Sequence, residues 1–107
     1  MNKVVVNKYD NGKSFDLLKG DTLVIEIPEI PTTGYKWEIE EIDNKVIEFS
    51  ESIFSISLDS GIGGGGLRKY YFKILSSGMT KIQLSLRRKW ESDNSAVDKF
   101  EINICIK

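Results

Sequence analysis

Apolar residues recur along this chain with a period of two almost throughout. Val4 to Val6 makes a short first strand, and Asp10-Asn11-Gly12-Lys13 is a turn by composition. Phe15, Leu17 and Leu18 follow, and Gly20-Asp21 marks a second turn. Leu23, Ile25 and Ile27 then alternate with Thr22, Val24 and Glu26, which predicts a half-buried strand closed by Pro28. Tyr35, Trp37 and Ile39 open the next strand. Val46, Ile47 and Phe49 come after a polar turn, and Ile53, Phe54, Ile56 and Leu58 lead into a glycine tract. Beyond it Tyr70, Phe72 and Ile74 alternate with Tyr71 and Lys73, and Ser76-Ser77-Gly78 turns the chain. Ile82, Leu84 and Leu86 define a very regular strand, and Phe100, Ile102, Ile104 and Ile106 define the last. Only Glu38 to Ile47 leaves room for a helical turn.

Seven to eight short strands between turn signals predict an all-β protein, an antiparallel β-sandwich or barrel. Each strand offers one apolar face, which is what two packed sheets require. At 107 residues the chain is expected to form a single domain over 1–107. Its 15 basic and 16 acidic residues nearly cancel, so no nucleic-acid footprint is present. No apolar run approaches the roughly 18 residues that cross a bilayer, so no membrane partner is expected. The N-terminal seven residues are too short and too polar for a signal peptide. A cytoplasmic protein is expected if Met1 is the native start, and a secreted one if a leader has been removed.

Catalytic chemistry finds little to work with. Histidine is absent, which removes the commonest general base and metal ligand, and with it any Cys-His or Ser-His pair within the chain. The single cysteine, Cys105, forms no intrachain disulfide and falls on the polar side of the last strand. It reads as a semi-exposed structural residue. Glu38, Glu40, Glu41 and Asp43 cluster as a solvated edge, and no spacing resembles a zinc or calcium site. No enzyme activity, cofactor or metal is expected.

Three stretches depart from plain sandwich chemistry. In Ile30-Pro31-Thr32-Thr33-Gly34-Tyr35-Lys36-Trp37, proline fixes φ, two β-branched threonines stiffen the chain, and glycine permits a positive φ. The result is a shaped loop, or a strand-to-strand turn with core aromatics behind it. Gly61-Ile62-Gly63-Gly64-Gly65-Gly66 holds five glycines in six positions, without the Lys-Ser/Thr of a phosphate loop. It is either a flexible connector or bare backbone that must lie close against something else. Arg87-Arg88-Lys89-Trp90-Glu91-Ser92 ends the regular strand. Parity buries Trp90 if the strand continues that far, and frees it as an interface anchor if the strand has ended.

In this order and spacing the three stretches resemble the chagasin family of cysteine-protease inhibitors, over nearly the whole chain. The family is marked by an Asn-Pro-Thr-Thr-Gly-Tyr/Phe loop, a Gly-x-Gly-Gly loop and an Arg-Pro-Trp loop. The first is matched by Pro31, Thr32, Thr33, Gly34 and Tyr35, with Ile30 replacing the asparagine. The second fits Gly63, Gly64, Gly65 and Gly66 best, with Gly61-Ile62-Gly63-Gly64 as the other register. The third is matched by Arg88 and Trp90, with Lys89 replacing the proline.

The resemblance implies an immunoglobulin-like sandwich, monomeric when free, with the three loops side by side at one end. It implies a reversible, tight-binding inhibitor of papain-like cysteine proteases. The Thr-Thr-Gly loop would fill the catalytic cleft, and the other two loops would grip its flanks. The Ile30 replacement would change how the first loop is tied at its base, and Lys89 would leave the third less rigid. Two other classes stand beside this one. A carbohydrate-binding module would need Trp37 or Trp90 on a flat platform, whereas the parity of Trp37 points it into the core. A generic adhesion sandwich gives no reason for five glycines beside a Thr-Thr-Gly turn.

Overall fold

The computed structural model describes residues 2–30, 33–56, 65–88 and 97–107. Eight strands are found among them: β1 (Lys3–Asn7), β2 (Ser14–Leu17), β3 (Thr22–Glu29), β4 (Tyr35–Glu41), β5 (Ile47–Ile56), β6 (Gly66–Ile74), β7 (Gly78–Arg88) and β8 (Asp98–Ile106). They form two four-stranded sheets, β1-β3-β6-β5 and β2-β8-β7-β4, which face each other as an immunoglobulin-like sandwich. The expected alternation is present in the core. Leu23, Ile25 and Ile27 of β3, Tyr70, Phe72 and Ile74 of β6, Ile82 and Leu84 of β7, and every second residue of β8 from Phe100 to Ile106 are buried. Fully burying side chains of this size contributes about 1.5–3 kcal/mol each, so these faces hold the sheets together. The outer face of β8 carries Cys105, half-buried and opposite Met79 and Asp16, in keeping with its expected place.

The structure differs from the sequence reading at three places. The N-terminal run is divided between the sheets: β1 pairs in parallel with β3, and β2 in parallel with β8. Between them one turn of 3-10 helix, Lys8–Asp10, is fixed by reciprocal bonds from Tyr9 N to Asn7 Oδ1 (2.9 Å) and from Asn7 N to Asp10 Oδ2 (3.0 Å). Asn11 then accepts from Glu101 N at 2.8 Å, pinning the crossing to β8. Parallel pairs thus sit at the edges of an otherwise antiparallel sandwich.

Second, Pro28 does not close β3. It pairs with Leu67, and the strand continues to Glu29. β1 ends at Asn7, opposite Glu26, so beyond that point β3 is itself an edge. The Pro28 carbonyl accepts from the Trp37 indole N–H at 3.0 Å and so points to that open side. The missing N–H lies on the same side, where it disrupts no ladder. Third, the two apolar segments at Val46–Phe49 and Ile53–Leu58 share one strand, β5, as far as Ile56. The register shifts between Phe49 and Glu51. Such a bulge inserts one residue and reverses the side-chain parity, so Ile47 and Phe49 before it share a face with Ser52 and Phe54 after it. The segment that had room for a helical turn supplies one at its end, closed by Ile47 N on Asp43 O at 3.0 Å, after β4 has taken Glu38 to Glu41. Leu58 lies outside the described residues.

At the end away from the β3–β4 connection, Asp21 is buried and bridges two segments. Its carboxylate accepts from Asn2 N (3.0 Å) and Leu18 N (2.9 Å). Those two backbone bonds hold the Asp21 carboxyl below its ordinary pKa. A depressed folded-state pKa gives stability that is complete above the unfolded value near 3.9 and is lost as pH falls through the folded value. Asp21→Asn keeps only one acceptor oxygen. It is expected to lower the melting temperature at pH 7 and to weaken the further fall of that temperature below about pH 4. A melting profile matching the wild type at both pH values would refute this role.

At the start of β6 the backbone lies close against β5. A Cβ added at Gly66 would overlap the carbonyl oxygen of Ser55 on β5. Gly66→Ala must therefore part the two strands at that end, and is expected to cost about 1–3 kcal/mol, the usual range for overpacking. Chemical denaturation of the variant measures it directly, and an unchanged midpoint would show that β5 and β6 separate there without penalty.

Candidate functional site

The strand registers place the bases of all three unusual stretches at one end. Glu29, the last residue of β3, lies opposite Gly66, the first of β6, and Gly66 lies opposite Ile56, the last of β5. In the other sheet Tyr35, which begins β4, pairs with Arg88, which ends β7, and Leu86 pairs with Asp98 at the start of β8. The short β3–β4 connection joins the two sheets there. The strand ends that bound the β5–β6 and β7–β8 connections thus flank the two ends of the first loop, one in each sheet.

Within the first loop, Thr33 carries the local fold. Its N–H and its hydroxyl both donate to the Ile30 carbonyl, at 3.1 and 2.7 Å, and its Oγ1 accepts from Tyr35 N at 3.3 Å. Gly34 adopts φ +82°, in the left-handed region where a Cβ is disfavoured. The tie at the base of the loop therefore runs through the backbone of Ile30, which any residue supplies. Replacing asparagine with isoleucine does not remove this tie. The Ile30 side chain is half exposed and shares a shallow groove with Tyr35 and Leu86. Tyr35 in turn lies under the Arg88 guanidinium, 4.3 Å from the ring centroid. That cation–π contact links the exit of the first loop to the base of the third.

Behind the loop is a polar cluster that the sequence reading missed. Glu29 follows the parity of Leu23, Ile25 and Ile27, and Arg68 that of Tyr70, Phe72 and Ile74, so both charges point into the sandwich. The Glu29 carboxylate is almost wholly buried. Its Oε1 accepts from Arg68 Nη2 at 2.8 Å, and its Oε2 accepts from Arg68 Nε at 3.3 Å and from Trp37 N at 3.3 Å. The hydrogen bonds to Glu29 raise the Arg68 pKa further and keep the guanidinium charged. The Tyr70 hydroxyl donates to the Trp37 carbonyl, and burial pushes the phenol pKa upward, with the Glu29 charge adding to it. The Trp37 backbone groups lie on the open edge of β4, so side chains of the opposite sheet satisfy them. The sequence signal for this cluster was a charge at a core-parity position on two neighbouring strands.

Trp37 is 4% exposed, as its parity predicted, so it cannot serve as a flat platform for a sugar. Among the described residues no group of His, Cys, Asp and Glu could hold a metal ion, and no helix is long and apolar enough to cross a membrane. Of the residues that the sequence motifs single out, Thr33, Gly34, Tyr35, Gly66 and Arg88 are placed as above, and Gly65 immediately precedes β6. Pro31, Thr32, Gly63, Gly64 and Trp90 lie outside the described residues, as does Lys89. Whether Trp90 continues the parity of β7 therefore stays with its motif.

The chain is 24% identical over 101 residues to chagasin of Trypanosoma cruzi, covering 91% of this chain and 92% of that protein. Its fold superposes on the cysteine protease inhibitor EhICP2 of Entamoeba histolytica with a TM-score of 0.91, at 23% identity, over 100% of this chain and 97% of the other. PbICP-C, solved in complex with falcipain-2, superposes with a TM-score of 0.61 at 18% identity, over 100% of this chain and 91% of that one. The family model described as Chagasin family peptidase inhibitor I42 matches residues 16–104, from the middle of β2 to near the end of β8. With that match over most of its length, the chain belongs to the chagasin family of peptidase inhibitors.

Proposed function

We propose that this protein inhibits papain-like cysteine proteases reversibly and without being consumed, by seating the loop of Pro31, Thr32, Thr33, Gly34 and Tyr35 in the active-site cleft. Gly63, Gly64, Gly65 and Gly66 lie along one wall of the cleft, and Arg88 and Trp90 along the other. The observation that carries this reading is the junction of three loop bases at one end, with the first loop tied internally through Thr33 and Ile30. The complex of PbICP-C with falcipain-2 is an assembly of the kind this reading expects.

The chemistry follows from shape. A protease cleaves a segment that lies extended across its nucleophile. A loop bent at Gly34 and held by Thr33 resists that extension, so it occupies the cleft without being turned over. Bare glycine backbone approaches a wall closely where side chains would collide. Loops already ordered in the free protein lose little entropy on binding, which is the main route to high affinity at a given interface area.

Inhibition is expected to be competitive against papain and absent against trypsin, pepsin and thermolysin, with the inhibitor recovered intact by mass spectrometry. Equal inhibition of trypsin, or rapid cleavage beside Thr32 or Thr33, would defeat this reading.

Trp90 and Trp37 separate the loop role from the core role. Trp90→Ala should weaken inhibition by about 2–4 kcal/mol, as at an interface hot spot, with little change in melting temperature. Trp37→Ala should instead destabilise the fold by about 3–5 kcal/mol through lost burial and a cavity. Unfolding midpoints and inhibition constants of both variants decide this. A large stability loss at Trp90, with unchanged affinity in the folded fraction, would remove one prong of the wedge.

A further inference from the structure

We infer that Glu29 and Arg68 are positioning residues for inhibition: their buried ion pair closes the first loop and locks it to the strand that leaves the glycine tract. The inference rests on the inhibitory reading above, but its structural half can be measured without a protease.

The geometry is that of a clasp. Glu29 is the last residue of β3 and Trp37 lies inside β4, so the bond from Trp37 N to Glu29 Oε2 (3.3 Å) spans the whole first loop and closes it into a ring. A second bond, from the Trp37 indole N–H to the Pro28 carbonyl (3.0 Å), closes it again one residue earlier. The carboxylate would rotate freely if Trp37 N were its one partner. Arg68 prevents that by gripping both oxygens with its fork, at 2.8 and 3.3 Å. Arg68 stands two residues after Gly66 on β6, and its guanidinium lies over the Phe54 ring of β5, 5.2 Å from the centroid. Both strands that flank the glycine tract are thereby tied to the carboxylate that closes the first loop.

The path continues into the loop. Glu29 precedes Ile30, whose carbonyl holds the N–H and hydroxyl of Thr33. A shift of the Glu29 backbone is therefore carried to Thr33 through one residue and two hydrogen bonds. Tyr35, beyond Gly34, is held in turn by Arg88. The bases of the three loops thus form one connected set, and its centre is a charge pair whose carboxylate is almost wholly buried. Glu29 and Arg68 act through the loop and are not themselves contacts.

The test uses the double variant Glu29→Met/Arg68→Met, which keeps apolar bulk at that end of the core but removes the clasp, with Arg68→Lys as the conservative variant. The double variant is expected to fold cooperatively. Its Thr33 and Tyr35 amides should exchange with deuterium about tenfold faster than in the wild type, since the ordering of the loop is lost before the fold is. Its Ki for papain should rise by about tenfold or more, and papain should begin to cut the chain between Glu29 and Trp37. Arg68→Lys keeps the charge without the fork and should fall between the two. Wild-type exchange at Thr33 and Tyr35 in the folded double variant would overturn the inference, as would an unchanged Ki with no cleavage. If wild-type protein fails to inhibit papain, the inhibitory reading falls, and the exchange measurement alone decides whether the pair holds the loop. Should the double variant not fold, Arg68→Lys carries the same comparison, and wild-type exchange and Ki in it would count against the clasp.

Discussion

The carboxylate of Glu29 is a charge placed where the core would otherwise be apolar, and the loop end of the sandwich is arranged around it. Burying an ionised group costs several kcal/mol unless its oxygens are occupied, and here three donors occupy them. Two come from Arg68 in the same sheet, and one comes from the Trp37 backbone in the other. The pair therefore bridges the gap between the sheets. Removing one partner would leave the other buried without compensation, a loss in the range of 3–5 kcal/mol by the usual behaviour of such pairs. Tyr70 adds the second bridge through the Trp37 carbonyl. Together they satisfy the exposed side of β4 at the residue where that strand enters the core.

A similar device stands at the other end of β3. Asp21, just before the strand, binds the backbone N–H groups of Asn2 and Leu18, as Glu29 at the far end binds that of Trp37. Between the two, the strand buries Leu23, Val24, Ile25 and Ile27. Val24 points away from the sandwich core, yet it is buried between Val5 and Tyr71, its neighbours on the flanking strands. β3 is thus held at both ends by a carboxylate and along its length by apolar burial. Apolar contact sets its depth in the fold, and the two carboxylates set its position along its own axis.

The strand faces were legible from the sequence because period-two burial is written residue by residue in Tyr70, Phe72 and Ile74, or in Phe100 to Ile106. Parity fails where the backbone inserts a residue, as in β5 at Ser50, since a bulge leaves no composition signal of its own. Pro28 misled for a different reason. Proline excludes a position from a ladder only where a hydrogen bond is required, and β1 stops before reaching it. The split of β1 from β2 was visible as the Asp10-Asn11-Gly12 turn, but not that each half would run parallel to its partner. The loop motifs were legible because proline, threonine and glycine act locally. Glu29 and Arg68 were not, since each alone reads as an ordinary solvated charge. Their meaning appears only when the register sets the two side by side on the inner face.

That placement bears on how an inhibitory loop keeps its shape. Apolar packing is non-directional, so a loop base held by packing alone can slide by a fraction of an ångström at little cost. A forked guanidinium on a carboxylate fixes both distance and orientation, and the third bond to Trp37 N passes that orientation to the start of β4. Between them Thr33 and Gly34 form the internal turn. Under the proposed function, a segment fixed in this way would enter a cleft with much of its entropy already lost during folding, and would resist being drawn out into the extended form that cleavage requires. Buried ion pairs of this kind often contribute little net stability compared with a hydrophobic substitute. Here the pair secures a direction, and at the base of a loop proposed to meet a nucleophile and survive, direction is the property that packing alone does not provide.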